Sequence, residues 1–225
     1  MSMIEHEIQL LKSEIVDMWK LVSEQLRDSM ITLLKMDKQL ASETVATEKQ
    51  VNAMELKIDR SCESIFALHN PVANDLRLVL ALLRINYNLE KIGDIAASIA
   101  KFVKKNQGYE YTPLIEATHV LQMFEEARDL LDDVRVAFEK EDVQLAINIF
   151  KRDKSLNELN KTARNVIINE IKKDPEHVEE LLKMLSVIRK LERAGDQSKS
   201  IAEEIIFFIE AKIVKHGHKK NSKPE

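Results

Sequence analysis

The tightest constraint on this chain is that it repeats itself. The segment LEKIGDIAASIA, Leu89 to Ala100, returns as LERAGDQSKSIA, Leu191 to Ala202, with Leu, Glu, Gly, Asp, Ser, Ile and Ala in the same slots at an offset of 102. Upstream, Lys35, Asp37, Gln39, Leu40 and Ala41 return as Lys140, Asp142, Gln144, Leu145 and Ala146 at an offset of 105, which also sets Glu48 on Asp153, Lys49 on Lys154 and Asn52 on Asn157. A three-residue difference in one loop reconciles the two offsets. Self-similarity at a fixed period marks a repeated supersecondary unit. The fold must therefore be one that half of the chain can build twice.

That unit is helical. Only four glycines and four prolines occur in 225 residues, 32% of them charged and 5% aromatic, the balance of long helices. Hydrophobic residues, 44% of the chain, are enough for a core. Apolar positions at three- and four-residue spacing fill 4–35, 37–69, 72–105, 114–139, 142–173 and 176–213, with breaks at Asn70-Pro71, at the stretch NQGYEYTP and at Asp174-Pro175. In the fourth segment Leu114, Leu121, Phe124, Leu131, Val134 and Phe138 fall on one face, with acids and Arg128 opposite. Long helices with short connections pack as antiparallel neighbours. The expectation is an all-α fold of six long helices, arranged as two tandem, pseudo-symmetric three-helix bundles over 1–105 and 114–215. A linker at 106–113 joins them, and a basic, disordered tail is expected at 216–225.

Several function classes are disfavoured. The start, MSMIEHEIQLLKSEIVDM, lacks the basic and apolar blocks of a signal peptide, and no window approaches the roughly 18 uncharged apolar residues of a membrane span. The lone Cys62 excludes an intramolecular disulfide and fits a reducing, cytoplasmic setting. A net charge of -4 argues against nucleic acid as a partner. There is no phosphate-cradling glycine loop and no serine nucleophile motif, so no catalytic role is expected.

The repeated segments carry their own puzzle. Residues four apart share a helix face, so Glu90 projects with Asp94 and Glu192 with Asp196. Like charges there cost a few tenths of a kcal/mol, and a helical glycine costs about 1 kcal/mol more than alanine. Gly93 and Gly195 are therefore read as places where a neighbouring helix approaches closely. The second helix of each unit is that neighbour, presenting Glu48 with Asn52 and Asp153 with Asn157; Glu55 and Asp59 repeat the spacing in the first half alone. Two readings of these groups stand open. Carboxylates converging from two helices suit a hard cation such as magnesium, manganese, calcium or oxidised iron. Alternatively, Lys91, Arg193 and other basic side chains neutralise the acids on a solvated face.

Three smaller features have alternative readings too. Glu116-x-x-His119 has the spacing by which di-iron carboxylate oxidases place two ligands on one helix, but it occurs once, and His119 reads better as a surface or interfacial residue. Trp19 is either core or a partner contact. Asp75 and Arg77, after Pro71, suit either the first turns of a helix or a functional surface.

The run Asn70-Pro71-Val72-Ala73-Asn74-Asp75-Leu76-Arg77, followed by Leu89-Glu90-Lys91-Ile92-Gly93-Asp94 and Leu191-Glu192-Arg193-Ala194-Gly195-Asp196, resembles the PhoU family. The family's usual forms are PxAxDLR and ERIGD, and the resemblance spans nearly the whole chain. It implies two three-helix bundles, each able to carry a multinuclear metal cluster (iron, manganese, magnesium or zinc) on paired acidic motifs. Those motifs fall on Glu48 with Asn52, Glu90 with Asp94, Asp153 with Asn157, and Glu192 with Asp196. Asn52 and Asn157 stand where aspartate is frequent, and Lys91 and Ala194 replace the commoner Arg and Ile. The resemblance further implies a cytoplasmic, non-enzymatic regulator of phosphate uptake, reaching the membrane only through partners. It would couple the ATPase subunit of a phosphate ABC transporter to a sensor histidine kinase, restrain the starvation response when phosphate is plentiful, and pair as a homodimer. Asp75 and Arg77 are its candidate partner contacts. The alternatives are a non-signalling, metal-binding helical scaffold and an accessory protein of another class of phosphate transporter.

Overall fold

A computed structural model describes residues 2–214, and the basic tail expected at 216–225 lies outside the described residues. Among the described residues seven α-helices follow one another: α1 (Met3–Lys35), α2 (Lys38–His69), α3 (Ala73–Lys105), α4 (Thr112–Ala117), α5 (Val120–Lys140), α6 (Val143–Lys173) and α7 (Val178–Glu210), with one 3-10 turn at Pro175–His177.

Local chemistry explains the corners. Ser2 and Glu5 form a reciprocal capping box at the start of α1. The turn into α2 bends through Met36 in the left-handed region (φ 48°), after which the Asp37 carboxylate accepts from the backbone of Gln39 and Leu40. The turn into α6 repeats it, with Glu141 at φ 52° and Asp142 accepting from Leu145. In both, the aspartate amide donates back to the carbonyl five residues earlier, Thr32 or Ala137, closing off the preceding helix.

Helices α1, α2 and α3 pack on one another, as do α5, α6 and α7; α4 lies on α5. The bundles join through α3 against α7 and α1 against α5. This makes α3 the most enclosed helix, burying Leu82, Ile85, Leu89, Ile92, Ala96 and Ile99 among others. Trp19 belongs to the core. It is fully buried, stacks on Phe138 at 5.9 Å between ring centroids, and donates from Nε1 to the Leu131 carbonyl (3.1 Å), tying α1 to α5 across the bundle boundary.

The all-α, two-bundle reading holds, but the fourth segment is not one helix. It breaks at His119, whose φ is 53°, after the Thr118 hydroxyl donates to the Leu114 carbonyl (2.6 Å). One left-handed residue shifts the helical phase. Val120 and Met123 therefore enter the core, while Leu121, expected there, is 37% exposed. The last helix is also shorter than read, ending at Glu210 instead of 213.

Candidate functional site

The two glycines are where the halves can be compared atom by atom. A Cβ on Gly93 would lie 3.0 Å from Val51 Cγ1 on α2 and 3.1 Å from Gln25 Oε1 on α1. A Cβ on Gly195 would lie 2.4 Å from Leu156 Cδ2 on α6 and 3.5 Å from Leu130 Cδ1 on α5. Val51 and Leu156, like Gln25 and Leu130, are related by the repeat offset of 105. The three-helix register is thus the same in both bundles. The close approach is real, but a neighbouring side chain fills the space, where the backbone of the next helix was expected.

Around the glycines the acids divide differently in the two bundles. In the first, Glu48 does not join Glu90 and Asp94: Lys101 of α3 holds both of its oxygens (2.9 and 2.7 Å). Glu90, 7% exposed, pairs with Lys91 Nζ at 2.8 Å, and the same ammonium lies 3.7 Å from Asp94. Glu90 is instead acted on by Glu55, which has Asp59 beside it, and Asn86 between the helices donates to Asp59 (2.9 Å) and to the Glu55 carbonyl (3.0 Å). Burial raises the Glu90 and Glu55 carboxyls above their ordinary range, with Asp94 adding to the first and Asp59 to the second. Asn52 is exposed.

In the second bundle Asp153, 3% exposed, accepts at Oδ2 from Asn157 (3.2 Å) and Lys199 (3.4 Å), while its buried Oδ1 has no hydrogen-bond partner. Burial raises Glu192, with Asp196 and Asp153 adding to it; burial and Asp153 likewise raise Asp196. Arg193 makes no ion pair among the described residues, but its charge pulls Glu192 and Asp196 down as expected, while Lys199 bonds Asp153 directly.

These differences bear on the metal reading. In the first bundle ammonium groups already occupy Glu48 and the Glu90–Asp94 pair, and the expected quartet Glu48, Asn52, Glu90 and Asp94 is not assembled; this donor set does not fit a cluster. The second fits better by chemistry: three mutually repelling carboxylates and an amide oxygen are what a hard cation relieves, whereas an unpartnered buried oxygen is common to both bundles, Asp153 Oδ1 here and Asn86 Oδ1 in the first. Among the described residues no three acidic, histidine or cysteine side chains are yet arranged to hold one ion. A cation there would have to draw Asp153, Glu192 and Asp196 inward.

The remaining candidates separate. Glu116 lies in the last turn of α4 and His119 precedes α5, both exposed, so the break removes their common helix face. Cys62 is fully buried and its thiol is pushed up to about 12 by burial and Asp59, which makes it unreactive. Asp75 sits in the first turn of α3, as read, behind the cap residue Val72, which makes no side-chain bond, and Arg77 bonds Asn74. Sequence reasoning missed Asn86, Lys101 and Lys199. Asn86 was findable, since it lies four residues before Glu90 on the same face.

Comparison with known proteins agrees with the doubled unit. The family described as the PhoU domain matches residues 15–103 and again 120–205. The chain is 30% identical over 212 residues to the phosphate-specific transport system accessory protein PhoU homolog of Pseudomonas putida, covering 93% of this chain and 82% of that one. It is 28% identical over 215 residues to the phosphate-specific transport system accessory protein PhoU of Escherichia coli K12, covering 93% and 86%. The crystal structure of PhoU from Pseudomonas aeruginosa superposes with a TM-score of 0.84 at 27% identity, over 92% of this chain and 99% of that one. That of the phosphate transport system regulatory protein PhoU from Streptococcus pneumoniae gives 0.83 at 28%, over 94% and 99%. Two copies of one domain, in the register that the paired glycines lock, place this chain in the PhoU family.

Proposed function

We propose that the chain serves as the accessory protein of a phosphate-specific transport system. The observation that carries this is the doubled PhoU domain along a chain that covers 93% of its own length and more than four fifths of its relatives so named. It acts by contact without catalysis, from the cytoplasm and as a homodimer, linking the transporter's ATPase subunit to a sensor histidine kinase. The link restrains the starvation response when phosphate is plentiful. No helix among the described residues is long and apolar enough to cross a membrane; in this reading the chain meets the membrane through those partners. Asp75 and Arg77 at the start of α3 are the proposed contact surface. Asp153, Glu192 and Asp196, with Asn157, are the proposed ligands of a hard cation, whose charge would tie α6 to α7.

Affinity capture from phosphate-replete cells followed by mass spectrometry tests the reading. It is expected to recover the ATPase subunit and the kinase, and to lose at least one when Asp75 and Arg77 are both replaced by alanine. A capture that recovers neither partner from the unaltered protein overturns the adaptor role.

A further inference from the structure

The seam between α3 and α7 opens, near the end of α3, into a cleft of about 1320 Å³ that the loop 106–113 also lines. The antiparallel register that sets Arg84 against Glu204 (3.0 Å) brings Ser98, Lys101 and Lys105 to one wall and Ser186, Lys190 and Lys183 to the other. Two of these four lysines are already neutralised, Lys101 by Glu48 and Lys183 by Glu179. The other two are not. The polar contact of Lys190 is the Ser186 hydroxyl at 3.3 Å, and among the described residues no carboxylate is within ion-pair reach of Lys190 or Lys105.

The acids lining the same cleft do not supply the missing charge. Glu110 accepts from the Thr112 amide, Asp174 holds His177, and Glu179 holds Lys183. Glu180 acts on the Tyr109 and Tyr111 hydroxyls, whose pKa values it raises after burial. The cleft is therefore divided, with negative charge gathered toward the tyrosines and uncompensated ammonium groups along the seam.

We propose that this cleft binds a phosphate-bearing anion, with the Lys105 and Lys190 ammonium groups supplying charge and the Ser98 and Ser186 hydroxyls supplying hydrogen bonds. Donors stand on both walls. A carboxylate accepts only near its own plane with two oxygens, whereas a tetrahedral phosphoryl group offers three or more oxygens in three dimensions to donors on opposite walls. The phosphoryl group comes either from free orthophosphate or from the polyphosphate of a nucleotide. The site does not depend on the transporter reading, because it follows from the charge balance of the α3–α7 seam alone.

The test uses the whole protein at constant ionic strength, titrated separately with orthophosphate, metal-free ATP and sulfate, and followed by thermal unfolding and phosphorus NMR line width. Orthophosphate or ATP is expected to raise Tm, the larger response identifying the source. Lys105→Gln, at an exposed position, and Lys190→Met, which removes a partly buried charge, are each expected to weaken apparent affinity about ten-fold while leaving the unliganded Tm unchanged or higher. No response to either phosphate ligand, a response kept by both variants, or an equal response to sulfate overturns the proposal. Failure here leaves the partner captures above untouched.

Discussion

Leu156 occupies the space that a side chain on Gly195 would need. The gap to its Cδ2 from the position of a Cβ is 2.4 Å, and Val51 stands in the same relation to Gly93 at 3.0 Å. Leucine at either glycine overpacks the contact and is expected to destabilise the protein by about 1 to 3 kcal/mol in chemical denaturation. Removing the obstacle changes the outcome: Leu156→Ala alone leaves a cavity, and Gly195→Ala added to it refills part of that space, so the double variant loses less than the sum of the singles. A gain in stability from Gly195→Leu, as an open helical glycine would give, would sink the close-packing account.

Trp19 is predicted to hold the bundles together. Trp19→Phe removes the bond to the Leu131 carbonyl and leaves a void beside Phe138, at an expected cost of about 2 kcal/mol. Calorimetry checks this. Because α1 and α5 meet there, the variant's transition should also broaden or split.

The pH dependence has a definite sign. Burial, with Asp153, raises the folded Asp196 carboxyl above its ordinary value of 3.8, and burial with Asp196 raises Glu192 above its ordinary 4.5. A carboxyl raised in the folded state binds protons more tightly there than in the unfolded chain, so its contribution is fully present below the unfolded value and is lost as pH rises through the folded one. Metal-free protein is therefore expected to gain stability as pH falls from neutral toward these values, and Asp196→Asn with Glu192→Gln to flatten that gain. An unchanged slope of Tm against pH in the double variant would show that other groups carry it.

The two bundles are predicted to answer differently to metal. With manganese or ferric iron added near millimolar concentration, thermal stabilisation is expected from the second bundle, and Asp196→Asn abolishes it while leaving the metal-free form as stable or slightly more so. Asp94→Asn leaves the response largely intact, because Lys91 and Lys101 already neutralise the first bundle's acids. Competition by protons adds a check: apparent metal affinity falls as the solution is acidified. Absence of any metal-induced shift or bound ion in the unaltered protein would leave the acids as a charged surface only.

The class, the repeat and almost every helix boundary were legible along the chain, because apolar periodicity and caps such as Ser2 with Glu5, Asp37 and Asp142 act within a few residues of themselves. It also placed the glycines correctly, since a costly residue held twice in register points to a shared contact. The family and its doubled domain were legible for the same reason. Tertiary structure decided what meets what. The helix break at His119 exchanges Leu121 for Val120 in the core, because Thr118 finds a carbonyl to bond and Val120 a place to bury. The division of the acids was equally out of reach, for Lys101 reaches Glu48 across 53 residues and Lys199 reaches Asp153 across 46. Spacing along one helix fixes which side chains share a face, but the counter-charge of a buried carboxylate is set by the register between helices, and that register exists only once the core between them has packed.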